Sequence, residues 1–437
     1  MELETRKRPA TFLRRHHMKH LILLLTVILS STSCDVAISK LAGNFSGPPE
    51  QLEGVLTPEA RDLIAKAMAG LRTDCVRDMH LHVAGMGHEH DNFETTITPW
   101  VNPKTQSRAN LSTYLKFKIY LNAAGIQKSE LQAPEKINKD YVSRIVDLWK
   151  FGKLPGKAHL LAFDKHYNED GTANPEQTSF YMPNQTIWDL SQKYPEIFTP
   201  VISVHPYRKD AISELEKWGK LGVRFIKWLP NSMHIDPSRT QLDAYYDKVK
   251  ELNMAILTHV GEERAVDGEQ FQKLGNPLLY RRPLDKGVKI IMAHVASLGE
   301  CEDFEQGGQK SCFQLFWRLF NEDKYKGVLY GELSAVTLHT RLGEPLLTIL
   351  SHPELQTRLV NGSDYPLPAI NWIYRTSQWK DLGYITESER ESLNQIYHYN
   401  PLLFDFVSKR TLHHPTTGTQ LRREVFYLPQ ELGGCIY

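Results

Sequence analysis

Residues 255–294 open with the apolar run AILTHV (255–260) and close with KIIMAH (289–294). Each run is short and rich in the aliphatic residues of buried strands, and each carries a histidine at or near its end. His294 follows His259 by 35 residues, which is the length of one strand–helix unit. Strands that alternate with helices form parallel sheets. This segment therefore predicts an α/β fold.

The same alternation continues on both sides of this segment. Helical spacing of apolar residues separates the runs, for example over 212–221 and 244–252. Eight strands are predicted in all: 75–80, 159–163, 199–204, 223–229, 255–260, 289–293, 327–333 and 359–362. The Gly-x-Gly-x-x-Gly turn of an open dinucleotide-binding sheet does not follow the first of them. We therefore expect one (β/α)₈ TIM-type barrel, with long cavity-building insertions after the first strand (83–156) and the sixth (295–326).

Composition limits the kind of partner. The chain has 437 residues, 41% hydrophobic and 24% charged, and a formal net charge of +1. This charge balance offers no basic field for nucleic acid or for an anionic membrane surface. We expect a small-molecule substrate, and the composition leaves a homo-oligomer open.

The N-terminus has the order of a secretory signal. Basic residues precede the apolar run Leu21–Leu29, and small residues lead from it to Cys34. The run is about half the roughly 20 residues that a transmembrane helix needs. We predict a signal peptide over 1–33, a linker over 34–56, the barrel over 57–410 and a tail over 411–437. Lipidation of Cys34 would anchor the protein on the periplasmic face of a bacterial membrane; the alternative is a soluble periplasmic protein.

Four more cysteines follow: Cys75, Cys301, Cys312 and Cys435. An oxidising compartment permits disulfides, and Cys301 with Cys312 would close a short loop. The alternative is free buried thiols. None has the close Cys-x-x-Cys spacing of a zinc site.

Six polar side chains stand at or just beyond the C-terminal ends of the predicted strands: His80, His82, Lys227, His259, His294 and Asp364. One end of a barrel collects these strand ends, so residues far apart in sequence should meet there. Imidazole and carboxylate together suit zinc, and also manganese, iron or nickel. A metal lowers the pKa of its bound water, and a neighbouring carboxylate such as Asp364 can take the proton.

This ordered set resembles the amidohydrolase superfamily. Within it, the chain resembles the amidohydrolase-related branch that includes amino-carboxymuconate semialdehyde decarboxylase and pyrone dicarboxylate lactonase. The resemblance runs from about Arg77 to about Phe404. It rests on the His-x-His pair, the two later histidines and three short motifs: VHPY (204–207), GSDYP (362–366) and NPLLF (400–404).

The resemblance implies one or two divalent metal ions. In two-metal members a carboxylated lysine at the position of Lys227 bridges the ions, and the histidine at the position of His294 is a ligand. In the decarboxylase-like branch one ion is bound by the His-x-His pair, His259 and Asp364, and His294 acts as an acid–base group. We expect two ions, zinc before the other metals, and keep the one-ion site as the alternative.

Other polar groups are weaker candidates. Glu262, Glu263 and Arg264 follow His259 and could touch substrate, or could simply form a solvated loop. Arg281 and Arg282 could bind a carboxylate of the substrate. Asp78 could orient a metal ligand or simply end a strand. The His88–His90 tract is interpreted as a solvated loop. The aromatic residues over 313–320 have helical spacing and are interpreted as core.

The sequence thus predicts a metal-dependent hydrolase of a small-molecule amide, lactone or ester. Metal-bound hydroxide would be the nucleophile, and Asp364 would be the general acid/base with His294 beside it. A decarboxylase or hydratase of the same superfamily is the first alternative. Alternatives of another class are a non-catalytic exported binding protein on a barrel scaffold and a metal-buffering lipoprotein.

Overall fold

The computed structural model describes residues 40–84, 116, 119–126, 134–266 and 268–435, which form an α/β fold. Cys34 and the His88–His90 tract lie outside the described residues. All eight predicted strands are present, with ends that differ by a few residues, and a short hairpin (β7 and β8) is added. The strands are β1 Arg77–His82, β2 Lys157–Leu161, β3 Phe198–Val201, β4 Phe225–Trp228, β5 Ala255–His259, β6 Lys289–Ala293, β7 Glu300–Glu302, β8 Gln309–Ser311, β9 Leu329–Glu332 and β10 Leu359–Val360.

Eight of these strands are parallel and follow one another around a ring. One sheet has the order β1-β2-β3 and the other β4-β5-β6-β9-β10. Backbone hydrogen bonds join the sheets at both seams. The Lys227 amide donates to the Ile202 carbonyl (2.7 Å) between β3 and β4, and the Met79 amide donates to the Asn361 carbonyl (2.9 Å) between β1 and the end of β10. The predicted TIM-type fold class is confirmed.

Thirteen helices of the described ranges precede, connect or follow the strands. They are α1 Leu52–Val55, α2 Pro58–Met68, α3 Pro134–Phe151, α4 Asn184–Lys193, α5 Ala211–Lys220, α6 Pro230–Met233, α7 Asp243–Glu251, α8 Arg281–Asp285, α9 Cys312–Phe320, α10 Glu344–Ser351, α11 Thr376–Asp381, α12 Glu387–Tyr397 and α13 Pro401–Thr411. The Thr57 side chain caps α2 by accepting a hydrogen bond from the Ala60 amide. No helix of the described ranges has the length and apolar character needed to cross a lipid bilayer.

The aromatic residues of α9 belong to the core, as predicted. Ser311 caps this helix by accepting a hydrogen bond from the Gln314 amide. Phe313, Phe316 and Phe320 are buried between the helix and the strands. Burial of such a side chain stabilises a fold by about 1.5–3 kcal/mol. The run therefore needs no binding role to explain it.

Two disulfides hold the described chain, one of them at the N-terminal end of the barrel. Cys75, just before β1, is bonded to Cys435, and Cys301 is bonded to Cys312 across the β7–β8 hairpin. Val76 also pairs with Tyr427 in an isolated bridge. The chain after α13 thus returns to the start of β1. All four of these cysteines therefore form disulfides and are not free thiols.

Candidate metal centre

The structure brings all six predicted side chains to one cavity at the C-terminal end of the barrel. His80 and His82 lie on β1, Lys227 on β4 and His259 on β5, while the other two follow β6 and β10: His294 and Asp364. Alternation along β1 directs His80 and His82 to the same side of the strand. Five of the six are buried, and His82 is partly exposed.

Three of these side chains are close enough to share one ion. The ligand atoms that His80, His294 and Asp364 offer all lie within 4.8 Å of one another. His82 Nε2 is 2.9 Å from Asp364 Oδ1, and Lys227 Nζ is 3.2 Å from His80 Nε2. Buried nitrogens and a carboxylate at this spacing fit a divalent transition metal. His80, His294 and Asp364 could therefore hold a metal ion.

The histidine at the end of β5 supports this fit. His259 Nδ1 lies 3.3 Å from a Glu263 carboxylate oxygen, which can only accept a hydrogen bond. The proton of the neutral ring is therefore on Nδ1. Its Nε2 is buried and has no partner among the described residues. A buried ring nitrogen without a partner is costly, and a metal ion would satisfy it.

Burial also keeps the imidazoles in the form that metals bind. Burial lowers the pKa of His82 and that of His259 to about 4, against the pull of nearby carboxylates. It lowers the pKa of His294 as well. These rings are neutral near pH 7, and neutral imidazole is the ligand form.

Asp364 and Lys227 have shifted pKa values for different reasons. Burial alone would raise the pKa of Asp364, but His80, His82 and His294 hold it well below its usual range. Asp364 is therefore ionised. Burial lowers the pKa of Lys227 to about 8, although nearby carboxylates oppose that shift. About a tenth of this amine is therefore uncharged at pH 7.

Strained backbone holds two of the candidate ligands. His294, Val295, Ala296 and Asp364 all have positive φ, between 47° and 58°. Residues other than glycine rarely adopt this region, and each costs of order 1–3 kcal/mol when it does. The Asp364 amide donates to the His80 carbonyl (2.6 Å), which ties this strained turn to β1. Such strain is concentrated at functional sites.

The cavity above this cluster has a volume of about 140 Å³. Its floor is polar, whereas its walls are mostly apolar and aromatic. Besides the six site residues, it is lined by Ala84, Lys116, Tyr120, Leu121, Tyr141, Phe163, Ser179, Phe180, Leu229, Glu263, Ala265, Val266, Pro366 and Leu367. A space of this size takes a small molecule and excludes a folded polymer chain.

Of the predicted substrate-contacting residues, Glu263 lines the cavity, and the other four do not: Glu262, Arg264, Arg281 and Arg282. Arg281 pairs with Glu305 and Glu322, and Arg282 pairs with Asp243. These carboxylates occupy both guanidinium groups. The predicted role of Arg281 and Arg282 thus gains no support from their placement.

Glu262 and Arg264 follow β5 and pair with each other. Arg264 Nη2 lies 2.8 Å from Glu262 Oε2, and the Arg264 side chain is exposed. Instead, the intervening residue, Glu263, faces the cavity. Asp78 binds backbone, since its Oδ1 accepts hydrogen bonds from the amides of His80 (3.0 Å) and Ser363 (2.8 Å).

Sequence reasoning missed three polar residues near the cluster. Glu332 and Ser334 contact two of the candidate histidines from β9 and the residues after it. Arg341 is buried, donates to Ser297 Oγ (3.1 Å) and helps lower the pKa of His259 and His294. Glu332 could have been found by the rule that found the others, because it is a charged residue at the end of a buried strand.

Comparison with known proteins gives matches in structure alone. No protein-family model and no curated protein matches the chain. A TIM-barrel protein of Bordetella bronchiseptica is 13% identical with a TM-score of 0.43, and covers 74% of this chain and 95% of its own. A 5-carboxyvanillate decarboxylase of Novosphingobium aromaticivorans, solved with manganese, is 11% identical with a TM-score of 0.41. The match covers 74% of this chain and 94% of the decarboxylase.

A third structure is a candidate 2-pyrone-4,6-dicarboxylic acid hydrolase of Acinetobacter baumannii. It is 12% identical with a TM-score of 0.40, over 75% of this chain and 100% of its own. Others that match are named amidohydrolases or metal-dependent hydrolases. The solved structures that this chain resembles are TIM-barrel and amidohydrolase-family proteins.

Proposed function

We propose that this protein is a metal-dependent hydrolase of an amide, lactone or ester bond in a small molecule. One observation carries the proposal. The ligand atoms of His80, His294 and Asp364 lie within 4.8 Å of one another on the floor of a cavity of about 140 Å³. Buried imidazoles and an ionised carboxylate, open to a substrate-sized space, are the components of a catalytic metal site.

When bound there, a divalent ion supplies Lewis acidity that polarises a carbonyl and makes water more acidic. The protein's own part is proton transfer and exclusion of bulk water. Asp364 is buried and ionised, so its carboxylate can accept the proton of an attacking water and return it to the leaving group. His294, neutral beside it, is the second acid–base candidate.

We propose two ions, with zinc first and manganese, iron or nickel as alternatives. The position of Lys227 supports the second ion, because its Nζ lies 3.2 Å from His80 Nε2. The lowered pKa of Lys227, about 8, also supports carboxylation. An uncharged amine can attack carbon dioxide and release one proton, and the oxygens of the resulting carbamate would be available as metal ligands.

Metal content by elemental mass spectrometry tests this proposal, beside a panel of esters, lactones and amides. We expect about two ions per chain, falling to about one in Lys227→Ala, with hydrolysis by the wild type. One ion that is indifferent to Lys227, with activity on carboxylated substrates alone, would favour the decarboxylase. A chain that binds no stoichiometric zinc, manganese or iron would overturn the enzymatic proposal and favour a binding protein.

We also propose export, with a lipid anchor at Cys34. The two disulfides support an oxidising compartment, since such bonds are rare in reducing cytosol. Membrane fractionation of the full chain beside Cys34→Ser tests the anchor. We expect the wild type in the membrane fraction and the variant in the soluble periplasm; identical fractionation would contradict lipidation.

A further inference from the structure

We propose that Glu332 is a positioning residue for the metal centre, and that Gly362 is required to leave room for its carboxylate. Glu332 ends β9, and its side chain is completely buried. It does not line the cavity, so substrate does not reach it. Its role would be to orient the histidines that do.

The carboxylate of Glu332 binds the back of the cluster. Glu332 Oε2 is 3.1 Å from His80 Nδ1, and it accepts hydrogen bonds from Ser334 Oγ (2.8 Å) and from the His294 amide (3.2 Å). The other oxygen, Oε1, accepts from the Ser334 amide. Among the described residues, the hydrogen-bond partners of this carboxylate are thus candidate ligands or the serine beside them.

These contacts decide which nitrogen of His80 faces the cluster. A carboxylate can only accept, so His80 Nδ1 must carry the proton. Nε2, on the side of Lys227 and Asp364, is then the ring nitrogen that can bind a metal ion. A carboxylate behind a ligating histidine fixes its tautomer and ring orientation, and makes the ligand more basic.

The same group acts on His294 through Ser334. The Ser334 hydroxyl donates a hydrogen bond to Glu332. Its oxygen can then accept a hydrogen bond from His294 Nδ1, 2.8 Å away. The Ser334 carbonyl, 3.1 Å from the same nitrogen, also accepts. His294 therefore presents Nε2 to the cluster, as His80 does. One carboxylate and one serine set two ligands in matching tautomers.

The surroundings keep this buried carboxylate charged. Lys409 of α13 is fully buried, donates to the Gly362 carbonyl and to Asp405 Oδ2 (2.8 Å), and attracts Glu332. Gly362 packs directly on the carboxylate, because a Cβ at this position would overlap with Glu332 Oε1 and with His80 Cβ. The glycine of the GSDYP motif is thereby explained by close approach, and not by an unusual φ.

The inference rests on the proposed metal site, and affinity for Co²⁺ and Zn²⁺ tests it without using activity. We expect Glu332→Gln to weaken binding by about 10–100-fold, the usual effect of losing such a partner. The glutamine side chain would place an N–H donor against groups that now donate hydrogen bonds to the carboxylate. Gly362→Ala should weaken binding similarly while every ligand remains. Both should change the visible spectrum of the Co²⁺ form.

Asp303→Asn is the matched control, since Asp303 is an equally buried carboxylate that pairs with Arg318, away from the cluster. We expect its affinity and spectrum to match the wild type. Folded Glu332→Gln that binds Co²⁺ within twofold of wild type, with the same spectrum, would overturn the inference. Failure of the wild type itself to bind either metal would instead overturn the proposed function, and this inference with it.

A second measurement needs no variant at Glu332. In metal-free wild type labelled with ¹⁵N-histidine, we expect the His80 and His294 rings to be protonated on Nδ1, assigned through His80→Asn and His294→Asn. Protonation of His80 on Nε2 would contradict the inference even if Glu332→Gln does not fold.

Discussion

The two ends of the strand ring differ in what their buried residues do. At the C-terminal end, His259 Nε2 is buried without a partner among the described residues, and His294 and Asp364 adopt strained backbone. At the N-terminal end, Cys75 is bonded to Cys435 and Val76 pairs with Tyr427. One end keeps polar atoms available at a cost in stability, and the other supplies stability. Barrel enzymes commonly divide the two tasks this way.

The largest effect should come from the C-terminal end. We expect Asp364→Asn to lower kcat by about 10²–10⁴-fold on any substrate that the wild type hydrolyses, because an amide cannot accept the proton. Steady-state kinetics beside a thermal melt measures this. A melt like that of the wild type is expected, and a variant with more than a tenth of wild-type kcat would contradict the role of Asp364.

The opposite result is expected at the N-terminal end. Replacing Cys75 and Cys435 together by serine should lower the free energy of unfolding by roughly 2–5 kcal/mol, because the bond closes a loop of 360 residues. Metal content should not change. Denaturant titration and elemental analysis test the pair, with Cys301→Ser/Cys312→Ser as the short-loop comparison. Loss of metal with the bond would show that the two ends are not separate.

Acid should destabilise the metal-free protein through a buried histidine at the C-terminal end of the barrel. The pKa of His259 is about 4 in the fold and about 6.5 in an unfolded chain. The unfolded state therefore binds more protons, and stability falls as pH drops from about 6.5 to about 4, then levels off. Urea titration at pH 7 and pH 5 measures the free energy of unfolding. Between these two pH values, the wild type should lose about 1–2 kcal/mol more of it than His259→Gln does.

His159 provides the control for this pH effect. It is buried on β2 against Phe225, outside the cavity lining, and burial lowers its pKa to about 3. A variant at His159 should also reduce the acid loss, but it should leave metal affinity unchanged. If His259→Gln retains the full acid loss, the ring is not held neutral as described.

The smallest effect is expected from the outer arginines. Arg282 pairs with Asp243 where both side chains are about one-third exposed, and exposed ion pairs contribute about 0–1 kcal/mol. We expect Arg282→Ala to change stability by less than that and to leave KM unchanged. A tenfold rise in KM would instead restore the substrate-binding role that the sequence predicts for this residue.

The sequence predicted what depends on local pattern and strand order. Eight strands and six strand-end residues followed from apolar runs and from the rule that parallel strands end together. Pairings between residues far apart in sequence could not be predicted, because nothing in the sequence around Cys75 identifies Cys435, 360 residues away, as its partner. Glu332 also ends a buried strand, so the same rule would have selected it, but its pairing with His80 and His294 on other strands could not be predicted.

The predicted roles of Arg281 and Arg282 gain no support from the structure. Arg281 and Arg282 stand beside each other and suggest an anion site, but a helix directs adjacent side chains to different partners. The two arginines instead bind carboxylates on separate elements, Glu322 and Asp243, outside the cavity lining. Charge in a sequence indicates a partner, and packing decides whether that partner is a substrate or the protein itself.

The bond between Cys75 and Cys435 has one consequence for handling the protein. Nearly the whole barrel lies between these two residues, so a protease that cuts a loop there leaves two pieces still covalently joined. A nicked sample would run as a single band on a gel without reductant. Integrity of this protein should therefore be judged after reduction, and outside the cell a cut molecule would keep both of its pieces.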